Sequence, residues 1–241
     1  MSGDILHDFG YRNVFLNGSS LNFSGQGLFF KNHHYDERYG QQEWAHHGYH
    51  AKDLGFWGLA DDNLFAEAKL KLNQLMQSSQ PFNMTILTID THGIDGRLSP
   101  SCIRRGGQNF ADIVECTSFE IADFVRYVAN QGWLDKVVIV VTGDHLAMSN
   151  ALSQKLKQSS KRYIYNAMIT TTSLKKNRDV FVHFDWFPSI LQALGFDWGD
   201  DRLGLGHSAI GKTRPLLKPK HRMARLRRVI LSNSQSYQKL W

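Results

Sequence analysis

The chain has 241 residues, a formal net charge of +6, and a composition of 42% hydrophobic, 12% aromatic and 21% charged residues. That length suits one large or two small globular domains, and that balance excludes global disorder. Much of the positive charge follows Pro215 instead of forming a stripe across the folded part, which argues against nucleic acid as a partner. No run approaches the roughly eighteen apolar residues of a membrane span, and the opening MSGDILHDFGYRNVFLNG lacks the basic and apolar regions of a signal peptide.

In chain order, NVFLNG (13–18) reads as a strand buried on both faces. The His-rich stretch 31–50 matches no helical metal motif and reads as a polar loop with aromatic anchors. Residues 61–79 carry apolar positions at helical spacing, with Asp61 or Asp62 as the cap. MTILTID (84–90) is a second strand. A long helix follows over 109–132, closed by Gly132. VVIVVTG (137–143) and YIYNAMITT (163–171) are two further strands, and 185–195 is a helix that starts at Asp185 and stops at Gly195. Strands alternating with helices of this length predict an α/β fold, with a largely parallel sheet and helices on both faces. The domain is expected to cover residues 1–215, followed by a basic tail over 216–241. That tail reads as a solvated helix or terminus, with a membrane-surface segment as the other reading.

Ligands of open α/β sheets bind beyond the carboxyl ends of the strands. Two strands end there in residues capable of chemistry: TID runs into THG, bringing His92, and VVT runs into GDH, bringing Asp144 and His145. On a shared rim these three side chains are expected to lie within a few ångströms of one another. One carboxylate and one imidazole suit zinc or manganese, and Gly143 allows the bend that aims both at one point. The plainer reading is that Asp144 caps the next helix and His145 is a surface histidine. His92 is open in the same way, either as a phosphate or proton partner or as a residue bonded to the backbone. Ser19, Ser20 and Ser24 sit in no G-x-S-x-G turn, and the chain has no phosphate-binding loop. Cys102 and Cys116 fit neither a zinc nor a redox spacing. They are either a short-loop pair or two buried thiols.

Taken in order, FLNGSSLNFSGQGLFFKNHHYDERYG, WGLADDNLF, LTIDTHGIDG, VVIVVTGDHLAMSN, FDWFPSILQALG and LGLGHS resemble the phosphoglycerol transferase branch of the alkaline phosphatase/sulfatase superfamily. The resemblance spans roughly residues 10 to 210. It implies that Asp144 and His145 bind a divalent metal, manganese or alternatively zinc, and that His92 contacts the substrate phosphate. It also implies that Asn17 and Gln26 lie against the glycerol-phosphate headgroup, Gln26 standing where a basic residue is expected. Close relatives carry cysteines near Cys102 and Cys116, so the resemblance favours a disulfide in a periplasmic setting.

The same resemblance implies transfer of phosphoglycerol from phosphatidylglycerol to a periplasmic glucan, at the periplasmic face of the inner membrane. Its nucleophilic threonine, its acidic metal ligand and its membrane anchor precede the FLNG strand. The chain is therefore expected to be the C-terminal part of a catalytic domain, inactive alone, with the N-terminal half as a partner. The competing expectations are a sulfatase or phosphoethanolamine transferase of the same superfamily, and a non-catalytic remnant.

Overall fold

A computed structural model describes residues 2–216 and 219–232. Residues 217–218 and 233–241 of the expected tail lie outside the described residues. Residues Gly3–Leu134 and Val141–Met168 form one compact unit; Asp135–Val140, with Ile169 and the residues after it, form a second.

The first unit is built on β1 (Arg12–Asn17), which follows α1 (Ser2–Asp8). Val14, Phe15 and Leu16 have no exposed surface, so this strand is buried on both faces as its apolar run predicts. After it come α2 (Gln26–Asn32), β2 (Glu37–Tyr39), α3 (Gln41–His46), α4 (Ala51–Leu54), α5 (Asp61–Met76) and β3 (Phe82–Leu87). β1 is the centre of a parallel sheet ordered β2-β1-β3, with Val14 opposite Glu37 on one side and Met84 on the other.

β2 falls inside the stretch expected to be a loop. It is a three-residue polar edge strand, too short to show an alternating pattern. The β1 ladder and the ion pairs of Glu37 with Arg12 (2.8 Å) and Lys71 (2.9 Å) hold it. β3 pairs with β1 along one edge, and no strand pairs with its other edge among the described residues. All six of its residues are half-buried, not fully buried as expected for an interior strand.

The chain continues through α6 (Pro100–Arg104), α7 (Phe110–Asn130), β4 (Ile139–Thr142), α8 (Ser153–Lys157) and β5 (Asn166–Ile169). α5 buries one stripe, Leu64, Ala68, Leu72 and Leu75, at the spacing of a single helix face. α7 packs beside it through Phe124 against Phe65 (5.7 Å between rings) and Tyr127 Oη donating to Asn73 Oδ1 (2.6 Å). Asn109 caps α7 with reciprocal bonds to Asp112, and Gly132 follows its end at φ +70°. β4 and β5 pair with each other, apart from the three-stranded sheet. The single sheet expected from the strand pattern is therefore divided, and the strand ends that lead to His92 and to Asp144 are not hydrogen-bonded neighbours.

Cys102 on α6 and Cys116 on α7 are joined by a disulfide. It closes a loop with a sequence separation of 14, for which chain entropy predicts about 3 kcal/mol of stabilisation. The double variant Cys102→Ser/Cys116→Ser is expected to lose about 2–3 kcal/mol in urea denaturation. Thiol labelling of the denatured, unreduced protein should find no reactive cysteine. Two labelled thiols would contradict the pairing.

The second unit contains α9 (Trp186–Ala193), the antiparallel pair β6 (Arg202–Leu203) and β7 (Gly206–His207), and α10 (Pro219–Leu231). Here two sequence motifs lock together. Asp185, at the start of α9, accepts the His207 N–H (2.9 Å) and pairs with Arg178 (3.0 Å). Ser189 Oγ accepts the Ala209 N–H (2.8 Å). A Cβ at Gly206 would sit 2.0 Å from Phe184 O, so only glycine fits that approach. FDWFPS and LGLGHS are thus two halves of one packing device.

Candidate functional site

β4 delivers Asp144 and His145 to the surface, with side chains 67% and 55% exposed. Asp144 caps no helix here. Its Oδ1 accepts the His145 N–H (2.8 Å), and its Oδ2 stands 3.3 Å from His145 Nε2. His145 Nδ1 lies 2.9 Å from Leu146 O. A carbonyl oxygen only accepts, so Nδ1 carries a proton there, which leaves Nε2 as the nitrogen that can face a metal. Oδ2 and Nε2 thus converge on one point at the strand exit, a contact that a proton on Nε2 or a cation shared by the two makes favourable. The residues fit a divalent metal as two of its ligands. Among the described residues no group of three or more His, Cys, Asp or Glu side chains is placed to complete the set, and a catalytic site needs about three protein ligands.

His92 lies in the turn after β3, in the same compact unit. Its ring meets Trp57 edge-on at 4.6 Å and Phe23 at 5.7 Å, and its Nδ1 is buried without a hydrogen-bond partner. A buried nitrogen left open costs free energy, and functional sites are where such capacity is kept. Trp57 is set by its loop: Arg97 donates to Leu54 O (3.0 Å), Asp53 O (2.9 Å) and Gly58 O. Gly58, at φ +122°, passes so close to Gly18 O that a Cβ would lie 1.9 Å from it. Phe56 stands 88% exposed on this pinned loop. No local sequence pattern marks Phe23, Trp57 or Arg97. The only available signal was that all three fall within or next to the segments shared with the family.

Asn17 and Gln26, expected at one headgroup, are brought together. Asn17 Nδ2 donates to Gln26 Oε1 (2.7 Å) and Ser19 Oγ (3.0 Å), and its Oδ1 accepts the Ser19 N–H (3.0 Å). Asn17 has no exposed surface, so its side chain orients Gln26 and Ser19 from below. Gln26 keeps its Nε2 amide as a neutral donor.

A pair of carboxylates lies beneath the His92 turn. Asp61, expected as a helix cap, instead reaches back from the first turn of α5. Its Oδ1 accepts the Ile89 and Asp90 N–H groups (2.7 and 3.2 Å), and its Oδ2 accepts from Thr117 Oγ1 (3.0 Å). Asp90 Oδ2 accepts the Asp61 N–H (3.1 Å), while its Oδ1 is buried without a partner. Burial pushes Asp61 up to about 6; burial and then the Asp61 charge push Asp90 up to about 8. An unfolded carboxylate titrates near 3.9, so between pH 4 and 8 the folded state binds more protons than the unfolded one. This pair's contribution is full below about pH 4 and falls as pH rises through about 6 and 8, by at most about 1.4 kcal/mol per unit for each group. Asp90→Asn is expected to flatten the decline between pH 6 and 8 in urea titrations. A decline identical to that of the unchanged protein would rule out Asp90 as its source.

This is an α/β protein with a parallel sheet and an aspartate–histidine pair at a strand exit. A family model described as Sulfatase matches residues 3–196, and the chain belongs to that family. It is 34% identical over 221 residues to a phosphoglycerol transferase I of Escherichia coli (strain 55989 / EAEC), and 33% identical to that of Citrobacter koseri. Each match covers 86% of this chain and 28% of the relative, so the chain spans less than a third of the length of these curated relatives. Two solved structures share its fold. A protein of the alkaline phosphatase superfamily from Vibrio parahaemolyticus superposes with a TM-score of 0.61 at 18% identity, covering 80% of this chain and 47% of that one. The lipoteichoic acid synthase LtaP from Listeria monocytogenes gives 0.60 at 15% identity, covering 88% and 55%.

Proposed function

We propose that this chain supplies the metal-binding and phosphate-contacting part of a phosphoglycerol transferase. The donor is phosphatidylglycerol, the acceptor a periplasmic glucan, and the reaction runs at the periplasmic face of the inner membrane. The observation that supports the reading is the convergence of Asp144 Oδ2 and His145 Nε2, 3.3 Å apart at the exit of β4, with Nδ1 turned to Leu146 O. The relatives' name, phosphoglycerol transferase I, supports the transferred group, and the disulfide suits an oxidising compartment.

Asp144 and His145 would hold the ion, manganese or alternatively zinc. Such an ion supplies Lewis-acid stabilisation of phosphoryl oxygens and activation of a hydroxyl nucleophile. His92 steadies a phosphoryl oxygen, its ring orientation fixed by Trp57 and Phe23. Gln26 offers an amide donor to the glycerol hydroxyls, oriented by Asn17. The nucleophilic threonine and an acidic ligand would come from a region corresponding to the N-terminal part of the longer relatives.

The test joins the chain to that region from a relative and follows diacylglycerol released from phosphatidylglycerol vesicles. Release that stops with chelator and returns with manganese is expected. Hydrolysis of sulfate esters without diacylglycerol release would favour the sulfatase reading instead.

A further inference from the structure

The turn that carries His92 begins at Asp90 and ends at Arg97, where the Arg97 N–H donates to Asp90 O (2.7 Å). Both ends of this turn reach across to the segment that carries Trp57. At one end, Asp90 Oδ2 accepts the Asp61 N–H (3.1 Å). At the other, Arg97 Nη1 donates to Leu54 O (3.0 Å) and Gly58 O, and Nη2 donates to Asp53 O (2.9 Å). Three carbonyls turned to one point need several donors at once. A planar guanidinium supplies them in a fixed fork, where an ammonium is a single point. A third segment joins the other two: the Leu59 N–H donates to Gly18 O (2.9 Å), and Phe23 sets its ring 6.1 Å from Trp57 and 5.7 Å from His92.

His92 depends on this arrangement because no hydrogen bond orients its Nδ1, which is buried without a partner. Aromatic contacts hold the ring instead, and Trp57, edge-on at 4.6 Å, is the nearer of the two. Trp57 in turn lies between carbonyls that Arg97 grips, directly before Gly58. We infer that Arg97 is a positioning residue: it clasps the Trp57 loop to the His92 turn, and through the indole it fixes the direction in which the imidazole points. Arg97 commits its fork to these carbonyls and so acts through Trp57, not on a substrate. The two loops move as one body, and loss of the clasp frees the imidazole without removing it. The clasp is a property of this chain alone; its effect on transfer rests on the phosphoglycerol-transfer reading.

The test records the ring C–H resonances of His92 by NMR in the 241-residue chain, assigned with His92→Ala. Arg97→Gln is expected to move the His92 signals in the direction that Trp57→Ala moves them. The His145 signals should stay in place, which excludes global unfolding as the cause. Arg97→Lys, a milder change that keeps the charge and loses the fork, should move the His92 signals the same way but less far. Signals that respond to Trp57→Ala but to neither Arg97 variant would overturn the clasp. In the chain joined to the N-terminal region of a relative, Arg97→Gln is expected to lower kcat about tenfold, the scale of one charge-assisted hydrogen bond, with KM within about twofold. Added to Trp57→Ala it should cost less than about twofold more, because both changes remove one shared interaction. Losses that multiply in full would show that Arg97 does not act through Trp57, and would overturn the inference. The expected NMR shifts in a joined protein that releases no diacylglycerol would keep the clasp and sink only the transfer reading.

Discussion

Asp185→Ala is expected to cost about 3–5 kcal/mol, the range for breaking a buried ion pair by removing one partner. The side chains of Arg178 and Asp185 are only 10% and 1% exposed, so solvent cannot replace the lost contact. Arg178 also donates to Ser208 O (2.7 Å) and His207 O, which ties the loss to the turn carrying β7. The His207 and Val182 N–H groups would lose their acceptor in the same step. Asp185→Asn keeps an acceptor oxygen and should fall between the two. The measurement is urea denaturation followed by intrinsic tryptophan fluorescence. A loss below about 1 kcal/mol would place the pair with exposed, screened ion pairs.

His92→Ala, made in the chain joined to the N-terminal region of a relative, is expected to lower kcat by about 10²–10³, the scale of losing one preorganised donor to a phosphoryl or carbonyl oxyanion. The effect should fall on kcat more than on KM, since such a donor acts mainly on developing charge. Trp57→Ala should give a smaller loss of the same kind, because it leaves the imidazole in place but removes the ring that meets it at 4.6 Å. A changed KM with kcat intact would make His92 a ground-state binding residue.

The parts of this molecule that were legible in sequence are those in which one segment carries its own signal. β1 announces itself because Val14, Phe15 and Leu16 are buried on both faces. The helices α5, α7 and α9 carry apolar stripes and recognisable ends. Asp144 and His145 stood out because charge at the exit of an apolar strand demands a partner. What stayed hidden depends on residues far apart in the chain. β2 is a strand only because β1 lies beside it. Asp61 looks like a helix cap until the fold brings the Ile89 and Asp90 amides to its carboxylate. The aromatic frame of His92 comes from Phe23 and Trp57, which no local pattern links to it. The division of the strands into separate sheets was likewise invisible, since apolar runs report burial and not which strand is the neighbour.

The central claim is that Asp144 and His145 are metal ligands in a site completed by residues beyond this chain. Manganese binding measures it most directly, with the 241-residue chain compared against the chain joined to the N-terminal region of a relative. The account predicts one tightly held ion per joined protein and far weaker binding by the chain alone. Asp144→Ala and His145→Ala in the joined protein should each cost more than the roughly 10–100-fold typical of outer-shell changes. Manganese held equally well after both substitutions would contradict it.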